Sequence, residues 1–238
     1  MESRVDENGA AFAGSQLQIQ LAVNQRTRLL DSSIESELPE LAAGVIEWRS
    51  PLASSSYAEY WDSAFLKELD LTGRLEDLKR FWPTGGPHWD ALATTSRSNS
   101  DSPVVILVEA KSYPAEFRSN GCGATPESRE LIAASLAKTR QAIGVDESFR
   151  DAWTGPLYQQ ANRLAHKYWL DSLGVQAFLV YVLFLDDPRS PCSREEWDEA
   201  IKQADRELGL PEIGPAQGIG HVFMKSGARG DLVGTQDG

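Results

Sequence analysis

The sequence predicts an α/β fold, with a central β-sheet flanked by helices. Three observations carry this reading. Val104–Val108 and Phe178–Leu185 are unbroken apolar runs rich in β-branched and aromatic residues, the signature of strands buried on both faces. Segments with helical spacing lie between and around them. The chain of 238 residues, 41% of them hydrophobic, is long enough to build one sizeable core.

In chain order, residues 1–15 are small and polar and read as a disordered tail, leaving 16–238 for one domain with a helical N-terminal elaboration. Leu17-Gln18-Ile19-Gln20-Leu21 alternates like a short strand, or equally opens the next helix. Leu29, Leu30, Ile34, Leu38 and Leu41 recur at helical spacing and predict a helix over 24–41. Val45–Trp48 suits a strand closed by Ser50-Pro51. Amphipathic helices are expected over Tyr57–Leu71 and Leu75–Trp82. After the loop Pro83–Pro87, a strand is expected over His88–Ala93, then a polar loop over 94–102. Two strands joined by a short polar loop are most simply an antiparallel hairpin.

Thr125 and Ser128 are N-cap candidates for the helix that follows, and a longer helix is expected over Leu157–Leu173. The Phe178 strand ends at Asp186-Asp187-Pro188. Ser193-x-x-Glu196 has capping-box spacing and opens a helix to about Leu208, and Gly220–Met224 can supply a last strand.

Composition excludes several classes. No apolar stretch approaches the ~18–20 residues of a membrane helix, so no membrane partner is expected. The first residues have neither a basic n-region nor an apolar core, so a signal peptide is not expected and a cytoplasmic location is. Two cysteines, Cys122 and Cys192, are too few and too far apart for a disulfide framework or a zinc site. A net charge of −12 argues against a general nucleic-acid coat protein. The charge is uneven, however: eight basic residues outnumber six acids between residues 111 and 168. Neither Walker nor GxGxxG spacing occurs, and no serine, cysteine and histidine set suggests a nucleophilic triad.

The chemistry-bearing pattern sits at the hairpin. Glu109 and Lys111 end the Val104 strand two residues apart and so share a face, with Ala110 on the other. Nineteen residues before Glu109, Asp90 brings another acid to the neighbouring segment. Mg²⁺ or Mn²⁺ takes hard oxygen ligands, commonly one or two carboxylates plus waters. Asp90 and Glu109 are thus candidate metal ligands, and Lys111 is placed to orient a water or offset charge on phosphorus. A carboxylate-pair glycosidase would leave Lys111 without a role.

This arrangement resembles the PD-(D/E)XK nuclease superfamily, with its restriction-endonuclease-like core. Asp90 matches the first motif residue, and Glu109 and Lys111 match the second motif. Trp89 stands where proline is common in the family, with Pro87 further back. The likeness covers roughly residues 85–185 and is similar to that of uncharacterised bacterial members. It implies a four-stranded mixed sheet with the Phe178 strand as its fourth, and a metal-dependent nuclease acting on DNA. A nuclease fold kept as a non-catalytic, protein-binding or regulatory module is the alternative.

In that family a polar helix residue after E-x-K often reaches the active site, which makes Gln159 or Arg163 the candidate here. Gln159, Asn162, Arg163 and His166 form one polar stripe, which is equally what a solvated helix face looks like. An early acid, Glu47 or Glu59, is a further candidate ligand by the same resemblance. His88 shares a face with Asp90 and suits a ligand, a phosphate contact or a rim residue. The seven tryptophans read as packing residues, with Trp89 also a candidate for base stacking.

Overall fold

A computed structural model describes residues 3–95 and 104–233. Its centre is a five-stranded mixed sheet in the order β1 (Ile46–Ser50), β2 (Ala91–Thr95), β3 (Val104–Lys111), β4 (Ala177–Leu185), β5 (Ile219–Lys225). The first three strands pair antiparallel, and β3, β4 and β5 pair parallel. The β2–β3 hairpin is therefore as expected. Its strand begins at Ala91 and includes Thr94 and Thr95, and the rest of the expected 94–102 loop lies outside the described residues.

Side-chain alternation divides the sheet between two helical layers. On one side Ala91, Ala93, Ile106, Val108 and Ala110 pack with Phe178, Val180 and Val182 against α1 (Gly14–Gln25) and α2 (Thr27–Glu37). On the other side Leu92, Val105, Leu107, Leu179 and Leu183 meet a larger layer. That layer comprises α3 (Asp62–Glu68), α4 (Leu75–Phe81), α5 (Pro126–Ile143), α6 (Tyr158–Ser172) and α7 (Arg194–Leu208). Both layers explain why β3 and β4 are apolar at nearly every position.

The helix expected over 24–41 is broken at Arg26, where α1 ends, and again at Leu38, because Pro39 cannot supply the next helical N–H. Residues 17–21 are helical. Their alternation arises because Gln18 and Gln20 are buried alongside Leu17, Ile19 and Leu21. The Gln20 amide accepts from Ala11 N at 2.8 Å and donates to Gly9 O at 3.1 Å. Gln18 bonds Gly227 through both amide atoms, at 3.0 and 2.7 Å.

Residues 3–15 are accordingly packed, which corrects the disordered tail expected for residues 1–15 as far as the described residues reach. Val5 bridges Ala11, Ala10 and Ala11 are buried, and Arg229 pairs with Asp6. Arg229 belongs to the short C-terminal helix α8 (Arg229–Val233), so both ends of the described chain meet beside α1. The helix expected over 57–71 shrinks to α3, since Tyr57 is instead buried against the N-terminal segment and Tyr60 bridges Trp89. The N-cap at Thr125 and the capping box at Ser193 form as expected.

Candidate functional site

One line of residues runs across the end of the sheet. Ala91 pairs with Val108, so one step on Asp90 stands opposite Glu109. Glu109 pairs with Tyr181, and Tyr181 with His221. On the other flank the Tyr60–Trp89 bridge sets Glu59 opposite Asp90. Directly opposed residues share a face of a sheet, so Glu59, Asp90, Glu109, Tyr181 and His221 form one polar row on the α6 side. Lys111 shares that face, while Ala110 packs beneath the sheet against the α1 layer, as alternation predicts.

Glu109 is 2% exposed, and cations hold both its oxygens. Lys111 Nζ lies 2.5 Å from Oε1, and Arg163 Nε donates to Oε2 at 2.6 Å. Burial opposes its charge, but Arg163 and Lys111 outweigh that penalty and hold its pKa below the usual carboxylate range. Lys111 loses water too, yet Glu109 and Asp90 raise its pKa and keep it an ammonium. Its Nζ also donates to Gln159 Oε1 at 3.4 Å.

Asp90 is placed differently. Its Oδ2 accepts from Ala110 N at 2.7 Å. Burial first, then the negative charges of Glu109 and Glu59, push its pKa up to about 8, against the opposing pull of Lys111. Asp90 as a whole is half-buried where it lines the cleft. Glu59 is raised in the same way by burial and by Glu109, with Gln16 Nε2 donating to it at 3.0 Å. Crowded acids of this kind occur at functional sites and in structural ion-pair networks alike.

These groups open on a polar cleft of about 620 Å³ lined by Glu59, Asp90, Lys111 and Gln159, with Arg4, Ser15, Gln16, Tyr113, Glu116 and Arg118 opposite. Asp90, Glu109, Lys111 and Gln159 are thus brought together. Of the two early acids only Glu59 belongs here. Glu47 sits on β1 and pairs with Arg49 at 3.6 Å. The contribution of residues 4–16 to the cleft wall has no signal in the sequence, because polar residues of a packed segment look like those of a tail.

The polar stripe of α6 is buried, which overturns its reading as a solvated face. Asn162, Arg163 and His166 are each at most 6% exposed. Arg163 donates to His88 O at 2.9 Å and to Asn162 Oδ1 at 2.7 Å, and its guanidinium stacks over Trp89. His166 sits in a box of Phe65, Phe81, Trp82, Trp89 and Trp169. Burial lowers its pKa to about 3, and Nδ1 is 2.8 Å from Asn162 O, so it is a neutral core residue. Trp89 is fully buried and is no stacking surface. His88 lies at the rim, its ring against Trp61.

Among the described residues no group of three or more His, Cys, Asp or Glu side chains is gathered closely enough to hold a metal. Asp90 and Glu59 face the polar cleft with oxygen donors that suit a hydrated hard cation and not zinc, while Glu109 opposite Asp90 is buried with both oxygens held by Lys111 and Arg163. No protein-family model matches the chain, and neither does any curated protein or solved structure compared with it.

Proposed function

We propose that this protein is a metal-dependent nuclease that hydrolyses DNA phosphodiester bonds, built on a PD-(D/E)XK, restriction-endonuclease-like core. The observation that carries the reading is the register that sets Asp90 opposite Glu109 with Lys111 on the same face. An antiparallel pair continued by the parallel strand β4, with α6 crossing between, agrees with the four-stranded mixed core that the resemblance implies. Asp90 and Glu109 would hold Mg²⁺ or Mn²⁺. Bound there, the ion would supply Lewis-acid polarisation of the phosphodiester and a more acidic water.

The chain's own groups divide the remaining work. Arg163 keeps Glu109 ionised and fixes its Oε2. Gln159 steadies the Lys111 ammonium, which offsets charge developing on the phosphoryl oxygens. Burial beside Glu109 and Glu59 favours the protonated form of Asp90 near neutral pH, and a bound cation would favour its carboxylate.

A second reading has its own support. Both oxygens of Glu109 are already satisfied by protein cations, as they would be in a structural ion cluster. With the net charge of −12, that favours a non-catalytic, protein-binding module of the same fold. Titration calorimetry of Mg²⁺ and Mn²⁺ into wild type and Asp90→Ala, with a cleavage assay at low ionic strength, separates the two. Metal binding and chelator-sensitive cleavage, both lost in Asp90→Ala, support the nuclease. No heat of binding and no cleavage with either ion would leave the interaction module.

A further inference from the structure

Among the described residues, Trp61 is one of few large apolar side chains left in solvent, at 42% exposure. It does not stand alone. Its indole stacks on the His88 ring at 4.2 Å and 14°. The Tyr60–Trp89 bridge sets Trp61 opposite His88 just as it sets Glu59 opposite Asp90. Residues two apart on an extended segment share a face, so the stacked pair and the two acids look the same way, while Tyr60 and Trp89 turn into the core. The spacing from Trp61 to Glu59, or from His88 to Asp90, is roughly 7 Å, two residues of extended chain.

The pair is also held in place. Asp62, next to Trp61, accepts from Gly85 N at 3.0 Å and Gly86 N at 2.9 Å, tying the start of α3 to the loop that leads to His88. Arg163 grips His88 O with the same guanidinium that grips Glu109. His88 and Glu109 are therefore fixed to one cation.

We infer that the Trp61–His88 pair is a stacking platform for an unpaired nucleobase, and that the substrate of the cleft is single-stranded nucleic acid. This rests on the nuclease reading of the cleft. An indole face receives a base only when that base is not paired and stacked within a duplex. A platform one nucleotide's reach from the acids positions the phosphodiester next to the stacked base. Stacking on an aromatic face adds affinity that does not come from neutralising phosphates, which suits a chain of net charge −12.

The test compares wild type, Trp61→Ala and Trp61→Phe, using fluorescein-labelled oligothymidylate, the same length of oligouridylate, and a blunt hairpin duplex. Anisotropy at low salt with Ca²⁺ reports binding, and Mg²⁺ reports cleavage. Wild type should bind the single strands at least ten-fold more tightly than the duplex. Trp61→Ala should weaken that binding five- to hundred-fold, with Trp61→Phe restoring most of it. A preference between the two single strands identifies the sugar and supports the platform in either direction. Equal affinity for duplex and single strand, or unchanged binding by Trp61→Ala, overturns the inference even if cleavage is robust. Trp61-dependent binding without cleavage by wild type would keep the platform and sink the nuclease.

Discussion

Arg163 donates from Nε to Glu109 Oε2 at 2.6 Å and from Nη2 to His88 O at 2.9 Å, so one planar fork ties α6 to β3 and to the turn before β2. A guanidinium suits this position because its donors diverge in a fixed plane and its face can lie over Trp89. Lysine has the charge without the fork.

Arg163→Lys should therefore lose cleavage by a hundred-fold or more, with a melting point lowered by several degrees. Arg163→Ala, which strips a buried carboxylate of one partner, should cost about 3–5 kcal/mol. Urea unfolding of both variants beside their cleavage rates checks this. Wild-type activity in Arg163→Lys would remove the positioning role.

Much of the fold was legible because β3 and β4 are covered on both faces, and double burial leaves an uninterrupted apolar run. The Asp90, Glu109 and Lys111 constellation was legible for the same reason: a polar residue ending such a run has to be used or exposed. What escaped was burial achieved without apolar side chains. Ala10 and Ala11 pack by being small, and Gln18 and Gln20 are buried because their amides satisfy backbone groups of the N- and C-terminal segments. The α6 stripe misleads likewise, since Arg163 meets a partner 54 residues away and periodicity cannot separate a partnered face from a wet one. Glu59 sits in an irregular segment, where no period marks it.

Asp90 should be a stability cost that grows with pH. Its folded pKa, about 8, lies above the ordinary 3.8, so the folded state holds its proton more tightly than the unfolded chain does. That contribution is fully present below about pH 4 and is lost as pH rises through 8. Asp90→Asn keeps the shape and removes the ionisation. It should gain on wild type by roughly 4 kcal/mol between pH 4.5 and pH 8, while losing cleavage. Chemical unfolding at the two pH values decides it. A variant that gains nothing on wild type over that range would contradict the crowding of Asp90 by Glu109 and Glu59.

His166 should show the opposite slope. Burial depresses its folded pKa to about 3 from an ordinary 6.5, so the unfolded chain binds the proton first on acidification. Its contribution is intact above about pH 6.5 and declines as pH falls toward 3. His166→Phe, in a box already made of aromatic rings, should gain on wild type by roughly 2 kcal/mol between pH 7.5 and pH 5. The difference between variant and wild type is the readout, because Asp90 and Asp205, both raised, offset the histidines in the whole-protein curve. Parallel curves for the two proteins would mean that His166 is not held neutral.

Lys111 separates chemistry from folding most sharply. Its ammonium sits 2.5 Å from Glu109 Oε1 with the side chain 12% exposed, so it is more than a surface partner. Lys111→Met keeps the aliphatic stem and deletes the charge. Glu109 retains Arg163, so the stability loss should stay near 1–3 kcal/mol, below that of Arg163→Ala. Cleavage should fall at least a thousand-fold if the ammonium offsets charge in the transition state. Gln159→Ala, which removes only the 3.4 Å contact that steadies Nζ, should cost about ten-fold and leave the melting point within a degree or two. Cleavage kinetics at saturating Mg²⁺, beside thermal unfolding of each variant, place both residues. Lys111→Met with near-normal cleavage would confine Lys111 to neutralising Glu109, and the structural ion cluster would then be the better description of the site.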